Sequence, residues 1–201
     1  ILDNYRNDNR IRIYNLKKNI GRTRAIRLAI KKCKSEYIAI LDADDLNAPH
    51  RLEEQISFLN KNKEIHMVGS WCYIIDENEK IVEQFRPPTD NNSLLRCLTW
   101  VDPLLHSSVM FRKNTYFEIG GYPSNLSYAI DLGFILNLAK KYKMANISKP
   151  LTSIRKHSSN ITFSQSLRSI ALKEEVSLYK LAWSLLKNKN FKTLLLHKRT
   201  I

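Results

Sequence analysis

The chain has 201 residues and is 43% apolar, which suits one globular domain with a sizeable core and excludes global disorder. Thirty-three Lys and Arg against 19 Asp and Glu leave a formal charge of +14, so anionic partners are favoured: nucleotides, acidic sugars, nucleic acid or an anionic membrane face. Cys33, Cys72 and Cys97 form no CxxC pair and read as reduced thiols in a cytosolic setting, with no zinc site; no apolar run reaches the roughly 18 residues of a membrane span, and no signal peptide is read.

Residues 10–16, RIRIYNL, alternate as a strand does, and Asn19 and Gly21 make a turn. Ala25, Ile26, Ala29, Ile30 and Cys33 mark one face of a helix, and 35–41 reads as a short apolar strand. Strand, helix, strand is the βαβ pattern of a parallel sheet. A helix follows over about 49–61, with Asn47 as its cap and Leu52, Ile56 and Leu59 as its buried stripe. Residues 65–75 and 80–85 form a hairpin across the polar turn 76–80, which makes the sheet mixed. A short helix is expected over 91–98 and a strand over 108–112. A tight turn at 118–122 uses Gly120 and Gly121. A helix over 129–142, a strand over 144–154 and a polar loop over 155–162 come next. The last expected element is an amphipathic helix from 164 to 187, with Leu167, Ile170, Ala171, Leu178, Leu181 and Leu185 on one side.

The stretch YIAILDADDLNAP, residues 37–49, ends an apolar strand in Asp42, Asp44 and Asp45. Period two sends Asp42 and Asp44 to one side. Ligands of α/β sheets bind beyond the C-terminal ends of the parallel strands. Two carboxylates there suit a hard divalent cation that in turn holds phosphate oxygens. The plainer alternative is that these acids cap the next helix or bridge surface lysines.

SEYIAILDADDLNAPHRLEEQISFL at 35–59 resembles the core of family 2 glycosyltransferases of the GT-A fold. NIGRTRAIRLAI before it, IHMVGSWCYIIDENEKI after it, then HSSVMFRK at 106–113, FEIGGY at 117–122, an acid-bearing helix at 131 and LTSIRKHSSNIT at 151–162 are similar to the same family, in its order. The fold implied is α/β, a Rossmann-like, mixed and mostly parallel sheet flanked by helices. The resemblance places residues 1–163 in a partial GT-A catalytic domain lacking the first βα units, with 164–201 as a C-terminal amphipathic helical extension. Such a piece is expected to be poorly active by itself.

The resemblance also implies site roles. Asp42 approaches the nucleotide, Asp44 binds Mn²⁺ or Mg²⁺ bridging the donor diphosphate, and Asp45 ligates or supports. Asp131 matches the base, with Ile130 where the family usually has Glu. His157 of the R.H motif is a second metal ligand, and Arg155 pairs with diphosphate. His106, Arg112, Gly121 and Trp100 line the acceptor side. Arg51 and Gln55, one helical turn apart, steady the acid loop, touch donor or are simply solvated.

The activity implied is metal-dependent transfer from a nucleotide-sugar, UDP-linked by preference, to a glycan or lipid-linked hydroxyl acceptor. It would invert the anomeric centre and serve surface or capsular polysaccharide synthesis. Two other classes remain open. A sugar nucleotidyltransferase would need a glycine-rich activating loop, which is not seen. A basic nucleic-acid or membrane-surface module would need interleaved aromatics, whereas the Lys and Arg are spread along the chain; no nucleic acid is expected. The location read is cytoplasmic, with peripheral contact at the inner membrane face left open by the C-terminal helix.

Overall fold

The computed structural model describes residues 2–157 and 165–188. The loop between these ranges and the tail beyond Asn188 lie outside the described residues. Six helices and six strands follow in chain order: α1 Arg22–Lys32, β1 Tyr37–Ala39, β2 Leu46–Asn47, α2 Arg51–Lys61, β3 Ile65–Ile75, β4 Ile81–Phe85, α3 Asn91–Cys97, β5 Met110–Arg112, α4 Lys113–Glu118, α5 Ile130–Ala139, β6 Lys143–Arg155 and α6 Gln165–Asn188.

The sheet runs β1-β5-β3-β6-β2, with β4 beside β3. It is the expected mixed sheet of an α/β fold, but not a mostly parallel one. Only β3 and β6 pair in parallel; β1–β5, β3–β5, β3–β4 and β2–β6 are antiparallel. The reason lies partly at 10–16. Those residues carry no regular secondary structure, and Ile11, Tyr14 and Leu16 are exposed, so alternation alone gave no strand without a neighbour to pair with. The parallel β3–β6 pair slips register near Trp71, opposite Pro150, where a bulge spares the ladder the missing proline N–H.

Period two sorts side chains onto the two faces. Met67 of β3, Phe111 of β5 and Met144 of β6 join one core with Ile30, Leu94, Tyr116, Phe134 and Ala182 from α1, α3, α4, α5 and α6. Their neighbours Val68, Met110 and Ala145 join a second core with Leu59 of α2. Phe111 and Phe134 meet edge to face at 5.0 Å, with Tyr116 and Tyr122 packed around Phe134. Each such buried aromatic contributes about 1.5–3 kcal/mol.

Two helix faces differ from their periodicity. In α2, Leu52 and Ile56 are exposed, while Arg51, Gln55 and Leu59 are fully buried. Hydrogen bonding decides this face, as the site below shows. Asn47 lies in β2 instead of capping α2, and its amide oxygen accepts from Arg51. In α6, Ile170 and Leu181 are exposed; the packed face carries Leu178, Tyr179 and Ala182. No helix among the described residues is long and apolar enough to cross a membrane.

Candidate active site

The chain leaves β1 through Ile40 and Leu41 and turns at Asp42–Asp45 before β2. Asp45 N–H closes this turn on Asp42 O at 3.2 Å. Three supports hold it. From beneath, the buried Arg51 guanidinium donates to Ile40 O at 2.9 Å, Val109 O at 3.1 Å, Gln55 Oε1 at 3.0 Å and Asn47 Oδ1. Gln55 then donates to Val68 O at 3.2 Å and Ser108 O at 2.7 Å. Four backbone carbonyls from three strands' neighbourhoods are thus satisfied by one helix face, which is why polar residues occupy it. Burial pushes the Arg51 pKa down to about 10. This settles the open reading of Arg51 and Gln55 in favour of bracing.

From the side, Asp42 N–H donates to Ser107 Oγ at 3.0 Å. From behind, Arg155 N–H donates to Asp45 Oδ1 at 2.8 Å, and Arg155 Nε to Asp44 O at 2.9 Å. The rest of the Arg155 fork reaches the β3–β4 turn at Asp76 O, Glu77 O and Glu79 Oε1. The structure therefore uses Arg155 to tie two loops together, not as an open diphosphate fork.

The three acids sit in different surroundings. Asp44 Oδ2 lies 3.0 Å from His157 Nε2, across 113 residues of sequence. That spacing suits a hydrogen bond, and also leaves a carboxylate oxygen and an imidazole nitrogen close enough that both would hold one divalent cation. A carboxylate with an imidazole is a donor set that Mn²⁺ accepts readily. Among the described residues no group of three His, Cys, Asp or Glu converges. Two protein ligands are what a cation sharing its sphere with a diphosphate would use. Partial burial opposes the Asp42 charge, but neighbouring His106 and Arg22 outweigh it and hold that carboxyl below the usual range. Burial pushes Asp45 up, against bonds from Ser107 and the Arg155 backbone.

Arg22 opens α1 and reaches Asp42 Oδ2 at 3.2 Å and His106 Nδ1 at 3.0 Å. The other ring nitrogen, Nε2, lies 2.9 Å from Tyr122 Oη. His106 is buried beside Asp42, the first acid of the loop, with Nδ1 3.6 Å from Asp42 Oδ1.

Arg112 is a correction. Because β5 runs antiparallel to β1, Arg112 pairs with Tyr37 at the start of β1, the end away from Asp42. There it bonds Leu59 O, Ile65 O and Tyr37 Oη. It locks the far end of the sheet, away from the acid loop. Gly121 also acts through the backbone: its φ is +67°, and a Cβ there would meet the Tyr116 ring at 2.4 Å. The turn delivers Tyr122 to His106.

Asp131 is the one ionisable residue of α5, whose other side chains are nearly all buried and apolar. It lies in the first turn, where the helix dipole favours negative charge. The Tyr122 phenol is pushed up chiefly by burial, and the charges of Asp131 and Asp42 push it the same way. Asp102, which accepts from Leu104 N–H at 2.9 Å, is pushed well above the carboxylate range by burial and then by Asp131. Trp100 is 60% exposed two residues earlier, available as a platform. Sequence reading missed Arg22 and Asp102. Arg22 belongs to a run of similar basic residues, and Asp102 is a single acid with no spacing pattern.

The profile of the family described as Glycosyl transferase family 2 matches residues 1–120. The O-antigen biosynthesis glycosyltransferase WbnJ of Escherichia coli is 33% identical over 153 residues, 75% of this chain and 59% of that protein. The amylovoran biosynthesis glycosyltransferase AmsE of Erwinia amylovora is 30% identical over 172 residues, 85% of this chain and 63% of that protein. The chain thus spans roughly three fifths of these curated relatives. The structure of S. aureus TarS 1-349 in complex with UDP-GlcNAc superposes with a TM-score of 0.59 at 17% identity, covering 100% of this chain and 63% of that one. That likeness shows the fold.

Proposed function

The chain belongs to glycosyl transferase family 2, and we propose that it moves a sugar from a nucleotide-sugar donor, UDP-linked by preference, to a hydroxyl of a surface-polysaccharide acceptor. The observation that carries this reading is the meeting of Asp44 with His157 at 3.0 Å, across 113 residues of sequence. The relatives named for O-antigen and amylovoran synthesis support the polysaccharide class, and TarS, solved with UDP-GlcNAc, supports the donor class. Neither the nucleotidyltransferase nor the basic binding module gains an observation.

In this reading Asp44 and His157 hold Mn²⁺ or Mg²⁺, which when bound offsets the charge that builds on the leaving diphosphate. Asp42 and Arg22 face the nucleotide, with Asp45 and Arg155 fixing the loop that presents Asp44. Asp131 takes the proton of the acceptor hydroxyl. The freed oxygen pair bonds the anomeric carbon as the bond to the diphosphate oxygen breaks, inverting that centre. Trp100 offers an acceptor face. The lipid-linked acceptor class and contact with the inner membrane face belong to the same proposal.

The test is nucleotide release from a panel of UDP-sugars with Mn²⁺ or Mg²⁺, using the enzyme as its host makes it. Asp131→Asn should lower kcat by about 10²–10⁴. Full turnover in that variant or in Asp44→Ala would remove the corresponding role.

A further inference from the structure

We propose that Glu174 of α6 is a positioning residue for Asp131, holding the start of α5 so that the carboxylate faces the acceptor; this rests on reading Asp131 as the base. The N-cap of α5 is Ala129, which has no side chain to fix the entry to the helix, and within the first turn Leu132 N–H goes to Asp131 Oδ1 at 2.9 Å. The three amides that lead into the helix are held instead from 45 residues away. Glu174 Oε1 accepts from Ser127 N–H at 2.8 Å, and Oε2 accepts from Tyr128 N–H at 2.9 Å and Ala129 N–H at 3.0 Å.

Three donors on two oxygens need a carboxylate, because an amide has one oxygen and turns its NH₂ toward the N–H groups. The platform is firm. Leu178 and Ala182, four and eight residues on, share the Glu174 face of α6 and pack into the same core as Ile130 and Phe134 of α5. Asp131 is two residues beyond the last captured amide. Its direction is therefore set by a clamp between two helices that meet in the core. Displacing a reacting group by about 1 Å costs on the order of 10²-fold in rate.

The experiment compares Glu174→Gln with the parent enzyme in two measurements. Amide exchange over 127–129 should rise roughly tenfold, the scale of losing a helix cap, while 134–139 stays protected. Turnover should show kcat down by about 10- to 100-fold with donor KM within about twofold. Glu174→Asp keeps the charge one methylene short and should recover part of kcat; if the Gln variant does not fold, the Asp variant supplies both measurements. Unchanged exchange at 127–129, or raised exchange there with kcat intact, overturns the assignment. Exchange rising equally across 130–139 marks a general loosening and overturns it too. Full turnover in Asp131→Asn removes the base reading instead, and does so independently of the exchange at 127–129.

Discussion

Replacing Arg51 by Met tests the brace beneath the acid loop. The guanidinium donates to four acceptors, on Ile40, Val109, Gln55 and Asn47, none of them a carboxylate. Two acceptors recover without it: Val109 O keeps the Ile40 N–H at 3.1 Å, and Asn47 is exposed to water. Ile40 O and Gln55 Oε1 stay behind in the interior, at about 1–3 kcal/mol each. Methionine fills most of the volume and relieves the burial of a cation, which offsets part of this. The net loss is about 3 kcal/mol, or roughly 6–12 °C in Tm for a domain of this size. Urea unfolding of the Met and Lys variants measures it, with Lys retaining charge but not the fork and falling between. A Met variant within about 0.5 kcal/mol of the parent would refute the bracing argument. The same variant should lose turnover below its Tm, because Ile40 is two residues from Asp42.

Three further outcomes follow from the geometry. His157→Ala should raise the Mn²⁺ concentration for half-maximal activity by roughly tenfold or more, and an unchanged metal titration would separate His157 from the cation. Gly120 and Gly121 both have positive φ, but only Gly121 faces the Tyr116 ring, so Gly121→Ala should cost roughly 3 kcal/mol and Gly120→Ala about 1, read by thermal melts. Glu174 is held below the ordinary carboxylate range because its three backbone bonds outweigh partial burial. Its contribution is therefore complete above about pH 4.5 and is lost as pH falls through the lower folded value. The stability gap between parent and Glu174→Gln should shrink in urea titrations from pH 7 to pH 3; a constant gap contradicts that linkage.

What the sequence made legible was local. Asp42, Asp44 and Asp45 stand out because a strand end and three acids fall within a few residues. The β3–β4 hairpin and α3, with Asp90 accepting from Ser93 N–H, were readable for the same reason. Failures came where direction or distance mattered. Arg112 carries a family motif, yet strand polarity takes it to the wrong end of the sheet. Leu52 and Ile56 have the apolar spacing, but the buried backbone carbonyls of Ile40, Val68, Ser108 and Val109 take donors from Arg51 and Gln55, which occupy the buried face. The Glu174 clamp spans 45 residues between a loop and a helix, with no pattern in either to announce it.

The Arg155 fork gives the β3–β4 turn an unusual standing. A hairpin tip at a surface is ordinarily where a chain tolerates insertions, labels and drift in length. Here the tip carbonyls of Asp76 and Glu77 share one guanidinium with the carbonyl of Asp44. An extra residue at the tip would be transmitted to the acid loop as a shift of that guanidinium. The turn is thus dimensionally fixed by chemistry elsewhere, and a tag or spectroscopic probe is better carried on the exposed outer face of α6.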